Sequence, residues 1–360
     1  MNKSLLFCVL VFAALTGKAN AQSSDYFGFK DAPGFISFGK DSTTIIGING
    51  SHVIVWDVKS SKILKERKFG EIYRDGFEYA GKKFRGNNAS VGFPCLNASR
   101  TLIGFSGSGF EEVDNLRNEI NTVFIFYDIE RDKWHHVVDP SKEYRLQKFY
   151  FNSPDSNRVA AILMDNTSFD YTAVNYSLTE QKIQHKLFVG KGALIPLECS
   201  FSSDSKTLFV GYGSSSYGGG LDVYNLETGK LIKRIPMNDQ PARFYEWNNL
   251  LVLSGHSGSY FYSKSNWALV HTQKNLEITS VDYTNNRAIG TFIQQGDRRK
   301  LSELMVFDLA SKKVIVRNWE KSSQHQVFEG SNMVISIRFK DYYNTAEHRL
   351  DIPSVLLRRL

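Results

Sequence analysis

Few residues in this 360-residue sequence stand in patterns that do chemistry by themselves. Gly255-His256-Ser257-Gly258-Ser259 comes nearest to a nucleophile elbow, in which a serine is thrown out at a sharp strand-to-helix turn. It lacks the closing glycine of that motif and lies between two strand-like runs, with no helix to follow. His135-His136 is the one adjacent histidine pair. Neighbours on a strand point to opposite faces, so the two cannot grip one ion without a bulge. Glu111-Glu112 with Asp114 supplies the hard oxygens that calcium prefers, although a solvated acidic loop has the same composition. No His-Glu-x-x-His, phosphate-loop or dinucleotide glycine pattern occurs. The expectation is a chain that works by binding, with no catalytic residue, metal or cofactor.

The N-terminus reads as an address. Asn2-Lys3 is a short basic start, and Ser4 to Thr16 is an apolar run of 13 residues. A bilayer-spanning helix needs about 20. Ala19-Asn20-Ala21 then offers small residues at both cleavage-pocket positions, so residues 1–21 are expected to be a signal peptide cut after Ala21. Its compact form points to a bacterial periplasm or exterior. Residues 22–360 are then one mature domain. Losing Lys3 and Lys18 lowers the formal charge from +7 to +5. That mild excess could favour anionic partners but does not argue for nucleic acid. No later run is long and apolar enough to span a membrane.

Cysteine is scarce. Cys95 and Cys199 remain after cleavage, each at the opening of a repeat and two repeats apart. That separation favours two buried thiols over a bridge. Asn49, Asn88, Asn97, Asn166 and Asn175 each begin an Asn-x-Ser triplet, which matters only in a eukaryotic secretory pathway.

The elements that must position any site are strands. The chain holds 26 Phe and 17 Tyr, with 27 Gly and 8 Pro. Aromatic and β-branched residues recur in short alternating runs. A strand, a turn rich in Ser, Asn, Asp and Lys, and a second strand repeat along the sequence. Phe35 to Ile46, Cys95 to Ile103, Phe149 to Ala160 and Cys199 to Phe209 are the first four copies. Phe244 to Val252, Val281 to Ile289 and His325 to Ile335 make seven, spaced by about 48 residues on average. A second signature follows most of them: strand, Asp or Asn after an aromatic, polar turn, strand. It runs Val53 to Leu64, Val123 to Trp134, Leu221 to Ile232 and Leu304 to Ile315, with weaker copies at Tyr171 to Ile183 and Gly258 to Leu269. The Asp or Asn side chain can turn back on its own backbone.

In these features the chain resembles the WD-repeat β-propellers over nearly all of residues 25–360. Trp56-Asp57 matches the family's dipeptide, and Ser153-Pro154-Asp155 matches its turn between the first two strands. Tyr127-Asp128, Tyr224-Asn225 and Phe307-Asp308 stand in for the dipeptide elsewhere. The Gly-His expected before a blade is missing, so this is a divergent member. The resemblance implies an all-β fold: a seven-bladed β-propeller of four-stranded antiparallel blades. The last repeat, Val334 to Phe339 then Arg349 to Val355, is short of a strand. Ser24 to Phe29 is expected to supply it and close the ring.

In such a blade the links between second and third strands, and those between blades, share one face of the disc. Here they carry the extra length. Residues 65–91, 106–121, 211–220 and 294–300 are the longest, and insertions collected on one face are where repeat proteins bind. Arg67, Lys68, Arg74, Phe110, Glu111, Tyr212, Tyr217, Arg298 and Arg299 are the candidate binding residues for a protein or polymer partner. Neutral surface insertions are the plainer reading of the same loops. The rival function is a secreted hydrolase similar to the lactonase-like propellers. Such enzymes place acidic or His ligands at the central channel mouth, where Glu198 and Asp282 are the nameable candidates.

Overall fold

A computed structural model describes residues 22–24, 35–41, 43–48, 52–60, 62–120, 123–138, 143–151, 153, 155, 157–190, 194–214, 218–292, 304–318, 322–331, 333–338 and 354–359. The expected signal peptide, residues 1–21, lies outside them. Antiparallel sheets succeed one another around a ring. Six are four-stranded: residues 35–68, 144–189, 195–237, 241–274 and 276–318, and a closing blade that joins the two ends of the chain. The sheet built from residues 77–138 has six strands. Six of the sheets thus keep the expected four strands, and the seventh departs from them with six. The second repeat is enlarged because its first two strands, Lys82–Leu96 and Leu102–Glu112, run on past the blade and recruit two short strands of their own.

Stacking explains the ring. Each sheet alternates apolar side chains toward both neighbours, and a buried cluster fills every junction. Ile46, Ile48 and Val53 meet Phe105 and Ile125 at one. Phe124 and Phe126 meet Phe149 and Phe151 at the next, with Phe124 edge-on to Phe149 at 5.2 Å. Ile289, Leu304 and Val306 meet Val327 and Val334 of the closing blade, whose Ile335 packs on Ile36 and Phe38 of the first. Such a blade cannot hide both faces alone, so the ring forms as a unit.

The turns follow the sequence signature. Asp57 Oδ1 accepts the Ser60 amide at 2.6 Å, and Asp128 Oδ1 accepts that of Arg131 at 2.8 Å. Asn225 and Asp308 do the same for Thr228 and Ser311. Side chain and backbone thus close each third-to-fourth turn locally. Cys95 and Cys199 are free thiols, with the 144–189 blade between them.

Closure uses the N-terminus. Gln22–Ser24 pairs antiparallel with Ser354–Arg359, Gln22 opposite Leu357 and Ser24 opposite Val355. The strand falls slightly earlier than the Ser24 to Phe29 expected from sequence. It covers the outer edge of the last sheet, which would otherwise expose unpaired amides. A chain begun at Asp25 lacks that cover. Its melting temperature in a thermal scan should fall by about 5 °C, with a rise in self-association. An unchanged scan would mean that the terminal pairing does not hold the ring.

Candidate functional site: the loop-rich face

The two longest insertions fold onto each other. Lys62–Lys68 ends the first blade, and a helix, α1 (Phe69–Asp75), follows it directly. Phe69 and Ile72 face inward, with Phe69 edge-on to Phe105 at 4.9 Å. Phe77–Tyr79 then pairs with the start of Lys82–Leu96 through a tight turn. Ala80 (φ 50°) and Gly81 (φ 76°) are both left-handed there, as a two-residue hairpin requires. The same stretch of Lys82–Leu96 pairs with the end of Leu102–Glu112: Phe84 opposite Glu112, Arg85 opposite Glu111, Gly86 opposite Phe110. Asn115–Ile120 flanks the other side. The product is a small sheet standing off the loop-rich face of the ring.

Its own core is aromatic. Phe77 stacks on Phe84 at 5.7 Å, meets Phe110 edge-on at 5.2 Å, and lies flat against His136 at 4.9 Å. Lys82, beside the hairpin turn, donates from Nζ to Glu112 Oε2 at 2.9 Å. The surface left over includes Arg74, Glu78, Lys83 and Arg85, all exposed. Burial, with the neighbouring His135, pulls His136 down to about 4. The histidine pair is divided across its strand: His135 is exposed while His136 is packed inside.

The candidate residues separate into different environments. Arg67 is committed to Asp132 of the next sheet: its Nε donates to Oδ1 at 3.0 Å, and Tyr127 donates to the same carboxylate. That contact ties two blades together. Lys68 is exposed at the start of α1, and exposed Arg74 pairs with Asp75 at 3.1 Å. Phe110 is wholly buried and supports the protrusion from within, while Glu111 is half-buried beside it. Tyr212 is buried, stacked on Phe188 at 5.4 Å beneath the Arg234 guanidinium. A side chain on Gly220 would strike the Tyr212 hydroxyl at 2.3 Å, so this glycine answers to packing. Tyr217, Arg298 and Arg299 lie outside the described residues.

Phe169 escaped the sequence reading. It occupies the tight second-to-third turn of the 144–189 blade, next to the enlarged sheet and on the same face. Its side chain is 66% exposed and its φ is 60°. A bulky residue in the left-handed region pays about 1–2 kcal/mol for it. The motif around it, Asn166-Thr167-Ser168-Phe169-Asp170, reads as an ordinary polar turn, and only the backbone angle shows the anomaly. Leu194, in the next link on this face, is also exposed.

The channel side holds the hydrolase candidates. Glu198 sits just after a bulge in its innermost strand, and Lys148, Arg243 and Ser280 hold the matching place in theirs. Lys148 Nζ donates to Glu198 Oε2 at 2.9 Å, and Tyr150 donates to the same oxygen at 3.2 Å. Burial raises the Glu198 carboxyl, opposed by Lys148, Tyr150 and Arg243. Asp282 is fully buried and spent on structure: it accepts the Gly330 amide of the closing blade at 2.9 Å, Asn285 at 2.8 Å and Arg287 at 3.0 Å. Asp239 likewise fills the would-be elbow, accepting the amides of His256 and Ser257. No cluster of three or more His, Cys, Asp or Glu suited to a metal occurs among the described residues.

Burial works against the Asp282 charge, yet the Gly330 amide, Asn285 and Arg287 outweigh it and hold the group below the ordinary 3.8. Asp282→Ala should cost about 3–5 kcal/mol at pH 7 in denaturant unfolding. The wild-type advantage is present above pH 3.8 and disappears as the pH falls through the lowered native value. A constant difference between the two proteins down to pH 2 would refute the assignment.

Comparison with known proteins fits the fold. No family model matches the sequence, and no curated protein matches it. Among solved structures, a chain of the mitotic checkpoint complex superposes with a TM-score of 0.62 at 10% identity, covering 95% of this chain and 94% of that one. The Cps50 (Swd1) β-propeller domain of Myceliophteria thermophila gives 0.58 at 9% identity, over 95% and 98%. The β-propeller domain of the Trilobed protease from Pyrococcus furiosus, described as having an open velcro topology, gives 0.52 at 11% identity, over 70% and 78%. No helix among the described residues is long and apolar enough to cross a membrane. The chain shares the β-propeller fold of these structures, and at these identities the likeness is one of fold alone.

Proposed function

We propose that this chain is a non-catalytic binding platform acting outside the cytoplasm, and that it receives a protein or polymer partner on the face bearing the protruding sheet. One observation carries the reading. Insertions from two separate links, 65–91 and 106–121, are folded against each other into a structured projection. Neutral insertions have no reason to share a hydrophobic core. The signal-like residues 1–21 support export. The scaffold's rigidity suits such a role, since binding residues are commonly loops held by a stiff frame.

Phe169 supports the same face. Like Asn248 and Trp267 it holds a left-handed turn position, and it places an exposed aromatic ring on this face. Exposed aromatics supply much of the energy of protein interfaces.

The test is capture of partners by the immobilised mature protein, quantified by mass spectrometry, with two variants. Lys83→Glu combined with Arg85→Glu alters the projection, and Phe169→Gly removes the neighbouring ring. Both should lower capture about tenfold or more. Phe169→Gly should at the same time raise unfolding stability by about 0.5–1 kcal/mol, by relieving the left-handed phenylalanine. Weaker capture from a more stable protein cannot be misfolding. Undiminished capture by both variants would end the claim.

A further inference from the structure

The projection is closed by a short strand that rests on a histidine. Phe77–Tyr79 ends the small sheet, and Lys82–Leu96 is its one partner among the described strands. A ladder of three residues does not hold in water without packed side chains behind it. Here that side chain is Phe77, since Glu78 on the opposite face is exposed and Tyr79 is half-buried. Phe77 meets Phe84 and Phe110 within the projection. It meets the blade beneath through His136 of Lys133–Val138, with the two rings only 10° from parallel.

That contact needs a neutral imidazole. His136 Nε2 is shut off from water and has no hydrogen-bond partner among the described residues. A charged imidazole carries a hydrogen on both nitrogens, so protonation would leave a buried N–H without an acceptor. No neighbouring carboxylate offsets the charge. Ile125 stands opposite His136 on the third strand, and on its own strand His135 adds repulsion. The charged groups of the surrounding elements are engaged elsewhere or face water. Glu112 holds Lys82, Asp75 holds Arg74, and Glu71 acts on Arg67. Glu111 lies opposite Arg85, and Glu78, Lys83 and Lys133 are exposed. Burial, and then His135, hold His136 at about 4 against the ordinary 6.5.

We propose that the projection carries an acid-released latch: protonation of His136 frees the Phe77–Tyr79 strand from the blade and uncovers Phe84 and Phe110 beneath it. As a control on partner binding, the latch rests on the reading of this face as the binding surface.

The attached strand requires the neutral ring, whereas release lets the ring ionise near 6.5. Attachment is therefore complete above pH 6.5 and weakens as the pH falls toward 4. Over that whole interval the attachment equilibrium drops about 300-fold, and from roughly pH 7.5 to roughly pH 5 it drops about 30-fold. A chain acting outside the cytoplasm meets such changes when its surroundings acidify.

The experiment is amide hydrogen exchange of the full chain at about pH 7.5 and about pH 5, corrected for intrinsic rates and read by mass spectrometry. Protection over residues 76–84 should fall about 30-fold at the lower pH, while the 195–237 sheet keeps its protection. His136→Phe cannot ionise and should hold the strand at both values. His136→Leu, which is smaller, should do the same if the phenylalanine is crowded. His135→Ala should retain most of the drop. His271, lowered by burial against Phe261 and Phe307, also titrates, but its loosening belongs to the 241–274 and 276–318 sheets. A change of less than about threefold over residues 76–84 overturns the proposal. So does an equal fall in both His136 variants, because the Lys82–Glu112 pair would then be the titrating element. Partner capture at the two pH values separates this idea from the earlier one. If the strand is released and capture by the parent does not change, the latch stands and the projection is not the binding surface.

Discussion

The structure depends on the need of every sheet to bury two apolar faces. A single four-stranded sheet with Phe, Ile and Val on both sides is insoluble, and a stack of such sheets leaves two greasy ends. Only a closed ring removes the ends. Each junction here is filled by a buried cluster, including the one where Ile335 of the closing blade meets Ile36 and Phe38. Closure also orders the polar parts. The inner strands carry bulges that turn Lys148, Glu198 and Arg243 to equivalent places on successive blades. Tyr150 donates to the Leu197 carbonyl of the next blade at 2.9 Å, and Asp282 takes an amide of the closing blade. These ties act between neighbours and have no meaning in an isolated unit.

The repeat was legible because it rests on short-range physics. Alternation names the strands, and Asp or Asn after an aromatic names the turns, so Asp57, Asp128, Asn225 and Asp308 stood out in the sequence and close turns in the structure. The protrusion was not legible. Ser106-Gly107-Ser108-Gly109 has the composition of a loop, yet it lies within a strand. Gly107 is there because a side chain would meet Ile125 at 2.6 Å, a tertiary reason that local composition does not carry. Phe110 looked like an exposed anchor for the same cause: its burial depends on Phe77, more than thirty residues earlier. Phe169 shows the reverse case. Nothing in its neighbours distinguishes it, and the signal is a backbone angle.

The same constraint decides where function can reside. Residues in the junctions are committed, since changing one disturbs two blades. Arg67 illustrates this: a cation in a promising loop is held by Asp132 and Tyr127 to join sheets. The channel is little freer. Lys148, Glu198 and Arg243 alternate in sign along three consecutive inner strands, and Glu277, ahead of the bulge on the next strand, lies close enough to act on the Arg243 charge. Such a row compensates itself and projects little net field toward a charged substrate. What remains free is the periphery: links on one face, and the outer strands where neighbouring blades diverge and no longer cover each other. On this ring the first has gained length and folded structure, and the second carries exposed aliphatic residues at its bulges, Ile232 and Val270 among them. The two regions differ in chemistry because they lie on opposite sides of a disc whose interior is fully occupied with holding itself together. Residues at the periphery can then change without cost to the core between the two faces.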